Sequence, residues 1–327
     1  VQPTRRNLSI LNLLIAIMFL WAPLGCGSAP LVDEEDRESQ LQGTITISGA
    51  WALYPLMVRW SEEFRKQHPG VEFDISAGGA GKGMADAIAG AVDIGMVSRE
   101  VYPEEEQRGA YWLSVTKDAV FATISAENPL LEQLLQQGIT ADTLYDIYIS
   151  GAVTTWGQVA NRPEVTDPIH VYTRSDACGA AATWADYLGS KQEDLLGVGV
   201  YGDPGLLDAV VKDPLGIGYN NLNYVYDDQT GEPVAGTKVL PLDVNGNQIS
   251  DIEESYLTKQ AAVDAVASGD YPSPPARDLN LVTHGKPAGL TKTFISWILT
   301  EGQSIVPEAG YVPLPQATLE AQLAKLD

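Results

Sequence analysis

Arg174 heads the segment Arg174-Ser175-Asp176-Ala177-Cys178-Gly179-Ala180, between an apolar run at 169–174 and a helical pattern ending at Leu188. A guanidinium grips an oxyanion through two parallel N–H bonds, and a carboxylate two residues on can orient it. Two other segments share this order of strand, small-residue turn and helix. Residues 44–48 lead into Gly49-Ala50 and a helix from Trp51, and residues 71–76 lead into Ala77-Gly78-Gly79-Ala80-Gly81 and a helix through Ile88. Such a junction aims backbone N–H groups at whatever precedes the helix, where the helix carries about half a positive charge. Three of them converging would hold a small oxyanion without catalysis. The candidate contacts are Gly49, Ala50, Trp51, Gly79, Ala80, Gly81, Arg174, Asp176, Cys178, Gly179 and Ala180, with Ser98 and Arg99 after the buried run 92–96. Ser98-Arg99-Glu100 reads equally as a surface ion pair, and Trp51 equally as core.

A second constellation suits a hard cation. In Asp243-Val244-Asn245-Gly246-Asn247-Gln248-Ile249-Ser250-Asp251-Ile252-Glu253-Glu254, oxygen donors fall at loop positions 1, 3, 5, 9 and 12. These are Asp243, Asn245, Asn247, Asp251 and Glu254, and the Ile249 carbonyl falls at position 7. That is the spacing of an EF-hand calcium loop, with Gln248 where glycine normally makes the sharp turn. The calcium ion would be structural and far from the anion. The competing reading is an Asn/Gly-rich turn before a helix.

Other chemistries fail on spacing. Gly81-Lys82-Gly83 lacks the hydroxyl and leading glycine of a phosphate loop, so Lys82 reads as a solvated first-turn residue. Cys178 at a helix start invites a nucleophile reading, but a small pocket residue explains it better. His68, His170 and His284 are scattered without metal spacing, and no Gly-x-Ser-x-Gly elbow occurs. The chain is expected not to be an enzyme, and no organic cofactor is implied.

The elements that must position these residues alternate strands with helices, which is an α/β pattern with mostly parallel sheets. Helices are expected over 51–67, 130–137, 141–148, 253–267 and 289–300, and strands over 119–125, 217–219, 239–244 and 279–283. The 327 residues carry a net charge of −23, which disfavours nucleic acid as a partner. Arg5-Arg6, the apolar run 10–24 and Pro23-Leu24-Gly25-Cys26 resemble a bacterial lipoprotein signal, with Cys26 as the lipidated residue. Residues 27–42 read as an acidic flexible tether. The body is therefore expected outside the cytoplasm, in the periplasm or on the outer face of the membrane. With Cys26 lipidated, Cys178 is alone and no disulfide is implied.

Taken in order, Ile47-Ser48-Gly49 with Pro55-Leu56 and Trp60, Gly78-Gly79-Ala80-Gly81 with Val92-Asp93-Ile94-Gly95, residues 174–179, and Ser268-Gly269-Asp270-Tyr271-Pro272 leading to Gly310-Tyr311-Val312-Pro313-Leu314 resemble a known family. It is the phosphate-type substrate-binding protein of ABC transporters, and the likeness covers about 43–314. The resemblance implies a two-lobed periplasmic-binding-protein fold, each lobe a mostly parallel sheet flanked by helices, with the ligand cleft between them. Lobe 1 would comprise 43–117 and 279–327, and lobe 2 residues 118–278. It also implies a monomer that closes on its ligand and delivers it to a membrane permease, with hinge motion as the signal. The same fold used by a ligand-sensing lipoprotein is the alternative.

The chain departs from the family's pattern. Ala50, Trp51 and Ala52 stand where the family places hydroxyls, Ala80 where it places a serine, and Cys178-Gly179-Ala180 where it reads Ser-Gly-Thr. Each hydrogen bond to a charged group is worth roughly 1.5–3 kcal/mol, so the anion bound need not be phosphate. An anion with an organic part is the expectation that Trp51 adds.

Overall fold

The computed structural model describes residues 41–327; the signal-like segment, Cys26 and all but the last two residues of the expected tether lie outside them. Nine strands form one sheet: β1 (Gln42–Gly49), β2 (Gly70–Ala77), β3 (Ile94–Val97), β4 (Ala110–Ser125), β5 (His170–Arg174), β6 (Val198–Val200), β7 (Gly216–Asn221), β8 (Thr237–Val239) and β9 (Ala276–His284). Their order is β2-β1-β3-β9-β4-β7-β5-β6, with β8 paired to β4 off this path. Gln42 already pairs with Gly70, so the last residue of the expected tether belongs to the sheet.

Parallel pairing holds at both ends of the sheet, in β2-β1-β3 and in β7-β5-β6. The middle is antiparallel, because β4 carries the chain out of one lobe and β9 brings it back. β4 pairs with β9 from Ala110 to Ala119, shifting register between Ser114 and Thr116, and then with β7 from Val120 to Ile124. One sixteen-residue strand therefore belongs to both lobes. A third segment braces it there: Lys117 and Val312 exchange backbone hydrogen bonds of 2.9 and 3.2 Å.

Sequence patterns explain the layers. In β2, Val71, Phe73 and Ile75 turn inward while Glu72, Asp74 and Ser76 face water, as suits an edge strand. The helix Tyr54–Gln67 has Pro55 in its first turn, where a missing N–H costs little, and buries Leu56, Trp60 and Phe64 on one stripe. Trp60 Nε1 donates to the Gly302 carbonyl at 2.8 Å, which ties this helix to the C-terminal segment.

Each lobe has its own core. Trp60, Phe64, Phe294 and Ile298 centre the first, drawn from the chain before β4's midpoint and from Leu279 of β9 onward. Phe121, Trp156, Trp184, Tyr219 and Tyr271 centre the second, and Val312 is the C-terminal residue that joins it. Trp184 stacks on Tyr219 at 5.5 Å, directly beneath the strand that ends in Arg174.

Several expected elements differ: β4 begins at Ala110 rather than 119, and the helix expected over 141–148 is α-helical only over Ala141–Tyr145 and continues as a π-helical turn over Asp146–Ser150. The strand expected over 239–244 ends at Val239, since Pro241 has no N–H for a ladder. The helix expected from 253 begins at Lys259, where Thr258 Oγ1 caps it by accepting from Ala261 N at 3.2 Å. Tyr256, in the intervening stretch, is buried in the lobe 2 core. Replacing Trp184 by Ala should cost about 3–5 kcal/mol of stability, measured by urea unfolding, since the indole is fully buried.

Candidate functional site

The second and third junctions meet across the lobe interface. Gly81 N donates to the Ala177 carbonyl at 3.0 Å, so a main-chain hydrogen bond from the start of the helix Ala80–Ile88 joins lobe 1 to lobe 2. A Cβ at Gly79 would lie 2.7 Å from the Ala177 carbonyl oxygen and 2.9 Å from Asp176 Oδ2, and Gly79 also has φ +90. Only glycine fits there. Gly179 packs against Ser98 with no space for a side chain. Gly49 closes the first junction differently: its carbonyl accepts Gly78 N and Gly79 N at 2.9 and 3.0 Å. Ala50, Ala80 and Ala180 are buried packing residues.

Arg174 corrects the simplest expectation of an open anion clamp. Its side chain is fully buried, with Nε and Nη2 on Asp176 at 2.8 and 2.6 Å and Nη1 on Asp203 Oδ2 at 2.6 Å. Burial works against its charge, but Asp203 first and then its other neighbours hold its pKa above the ordinary arginine value. Asp203 is itself fully buried, and its second oxygen accepts Asn221 N and Nδ2 at 3.1 and 2.8 Å. The neighbouring Asp176 Oδ1 also accepts Gly202 N at 3.2 Å.

The network continues to the crossing strands. Arg277 of β9 donates through Nη2 to Asn221 Oδ1 and through Nε to the Ser98 carbonyl at 3.2 Å, and its Nη2 lies 3.3 Å from Asp118 of β4. Alternating charges thus run Asp176, Arg174, Asp203, Arg277, Asp118, with Asn221 as the bridge and a surplus of one negative charge. Burial pushes the Asp118 carboxyl up to about 6, against the pull of Arg277.

The remaining candidates sit at the rim or apart. Trp51 lies against Gly202 and edge-on to Tyr201, its carbonyl accepts Tyr224 Oη at 3.2 Å, and its Nε1 is buried without a protein partner. Arg99 forms a two-bond ion pair with Glu105 at 2.9 and 2.7 Å and lies 4.6 Å from the Tyr102 ring centre, so the ion-pair reading applies to it. It borders an interlobe cavity of about 580 Å³ with Glu100, Cys178, Asp186 and Lys191. Cys178 caps the helix Gly179–Tyr187, its Sγ accepting Ala181 N at 3.4 Å. Burial pushes its thiol up to about 12, which works against the thiolate that a nucleophile needs. Lys82 pairs with Asp86 on its own helix.

The loop 243–254 is wound on itself. Asp243 accepts the amides of Gly246, Asn247 and Gln248 at 2.7, 3.1 and 2.8 Å, and Gln248 takes φ +62 at the sharp turn. Asn245 and Asn247 point amides at Asp251 at 2.8 and 3.1 Å, while Glu254 accepts Val244 N and Asp251 N at 2.8 and 3.3 Å. Ile249 is exposed, and its N–H donates to Asn247 Oδ1 at 2.7 Å. Among the described residues no three His, Cys, Asp or Glu side chains lie close enough to hold a metal ion as they stand.

Asp203, Asp118 and Arg277 escaped the sequence reading. Asp203 had a signal: Gly202-Asp203-Pro204-Gly205 opens a helix after β6, a fourth strand–turn–helix junction. Asp118 and Arg277 are charges within long apolar strands.

Comparison with known proteins places this geometry. The model of the PBP superfamily domain matches residues 34–301. The chain belongs to the PBP superfamily. It is 28% identical to the phosphate-binding protein PstS of Bacillus subtilis, over 95% of each chain, and 24% identical to that of Pseudomonas aeruginosa, over 96% of this chain and 98% of that one. Among solved structures, a Clostridium perfringens protein with bound phosphate aligns with a TM-score of 0.67 at 24% identity, covering 84% of this chain and all of that one. An ABC-type phosphate transport receptor from Vibrio cholerae aligns with a TM-score of 0.60 at 21% identity, over 83% of this chain and all of that one. The fold is thus the two-lobed binding-protein architecture, and these relatives are binding proteins rather than enzymes.

The buried Asp118 gives a signed prediction. A folded-state pKa of about 6 against 3.8 unfolded means that the folded protein holds the proton more tightly. Its ionised form destabilises the fold above pH 6, and that penalty is relieved as pH falls from 6 toward 4. Wild type should therefore gain stability relative to Asp118→Asn by up to about 3 kcal/mol on acidification, read as paired urea midpoints from neutral to acidic pH.

Proposed function

We propose that this chain is the extracytoplasmic solute-binding component of an ABC transporter, capturing a small oxyanion between its lobes and presenting the closed form to a permease. The observation that carries the reading is the meeting of the Gly79–Gly81 turn with the Arg174–Asp176 turn across the lobe interface. The phosphate-binding names of the relatives support the anionic ligand class. Trp51 Nε1, a buried donor without a protein acceptor on the rim of this site, is what an oxyanion's oxygen would satisfy. Ligand entry requires separating the lobes and breaking the Gly81–Ala177 hydrogen bond. Lipidation at Cys26, and with it anchoring to the membrane face, belongs to this proposal, as does a monomeric state.

A thermal-shift panel of phosphate, sulfate, phosphonates, molybdate, carboxylates and sugar phosphates tests the reading, with nucleotides and neutral sugars as controls. A true ligand at a hundred times its dissociation constant should stabilise the fold by about 2.7 kcal/mol, a shift of several degrees. No response to any anion would reject the proposal.

We also propose that the loop 243–254 takes a structural calcium ion. Its support is the donor set, five oxygen-bearing side chains suited to a hard cation, and the αL turn at the sixth position. The asparagine oxygens now bonded to backbone amides would have to turn inward. Calcium should raise the melting temperature and a chelator lower it, and Glu254→Gln should abolish the difference; a melting temperature indifferent to both would exclude the ion.

A further inference from the structure

We propose that Asp203 is a built-in counter-anion that determines the cleft's selectivity, disfavouring dianions such as inorganic phosphate and leaving monoanionic oxo ligands as the class accepted. The inference deepens the solute-binding reading and rests on it for the cleft's use.

Three observations lead there. First, Nη1 is the one guanidinium nitrogen of Arg174 that Asp176 does not bind, and Asp203 takes it at 2.6 Å. An incoming oxyanion seeking this guanidinium meets a carboxylate already in place. Second, Asp203 cannot simply swing aside. Its other oxygen holds both Asn221 donors, its carbonyl accepts Asn220 Nδ2 at 3.0 Å, and the side chain has no solvent exposure. Third, the local charge is unfavourable for a dianion. Three carboxylates, Asp176, Asp203 and Asp118, face two guanidinium groups, Arg174 and Arg277, within one run of hydrogen bonds and ion pairs, Asp118 joining through its ion pair alone. A second negative charge on the ligand meets that surplus in a buried setting, where screening by salt is weak. The absence of side-chain hydroxyls at Ala50, Ala52, Ala80 and Ala180 removes donors that would offset it.

Substituting asparagine at Asp203 inverts the arrangement. The amide oxygen can still accept from Asn221, but its NH₂ then faces the Nη1 donor of Arg174. Two donors facing each other, with the guanidinium's charge no longer cancelled, form a receptor for an anion placed between them.

The test is calorimetric titration of inorganic phosphate at about pH 8, where it is a dianion, into wild type, Asp203→Asn and the charge control Asp208→Asn. Asp208 lies on the same helix but is exposed and paired with Lys212. The expected result is phosphate affinity at least about tenfold tighter in Asp203→Asn, with Asp208→Asn within about twofold of wild type. Equal or weaker binding by Asp203→Asn overturns the inference. If that variant does not fold in chloride buffer, phosphate should restore its melting transition at equal ionic strength, and failure to do so also overturns it. The outcomes separate the two proposals. Wild type that binds phosphate tightly with no gain in the variant refutes only the role of Asp203. Wild type silent to every anion with a clear gain in the variant refutes only the solute-binding reading.

Discussion

A buried guanidinium must be neutralised, and the way Arg174 is neutralised organises the space between the lobes. Desolvating a charge costs several kcal/mol unless partners with good geometry replace the water. Here the partners come from two separate turns, Asp176 beside the arginine and Asp203 at the start of the next helix. Aligning them requires β5 and β6 to run parallel side by side, so that both turns emerge at the same edge. The aromatic floor of Trp184, Tyr148 and Tyr219 holds the strand from below, and Tyr219 Oη accepts Arg174 N at 3.2 Å.

From that ion triad the polar chain reaches the strands that connect the lobes. Asn221 ends β7, and Arg277 and Asp118 sit opposite one another on β9 and β4. Arg277 also touches the Ser98 carbonyl of lobe 1. Charge state in the cleft and geometry at the crossing strands are therefore linked through hydrogen bonds rather than through a change in packing. Arg174, Asp203, Asn221 and Arg277 thus share one continuous set of hydrogen bonds.

Much of this was legible in the sequence. The three junctions, the stripe Leu56-Trp60-Phe64 and the alternation of strands with helices follow from local periodicity and turn chemistry, which need no tertiary information. The Arg174–Asp176 pair was legible for the same reason, since both partners lie in one turn. Asp203 was not, because its meaning depends on a partner 29 residues away. Asp118 and Arg277 depend on antiparallel register between strands far apart in the chain. Arg99 shows the reverse case: its partner Glu105 lies only six residues on, while its place beside the interlobe cavity depends on the fold. The loop 243–254 combined the two, with its turn predicted by spacing but the helix after it delayed by the burial of Tyr256.

The exchange of backbone bonds between Lys117 and Val312 braces the crossing strand with a segment that comes from lobe 1 and returns to it, Tyr311 and Leu314 lying in the first core and Val312 in the second. A pair of connectors permits twisting as well as bending, because the two can slide past each other. A brace tied to both cores through the adjacent residues Tyr311 and Val312 would resist the twist. Any opening of the lobes would then be channelled toward a clamshell-like bend.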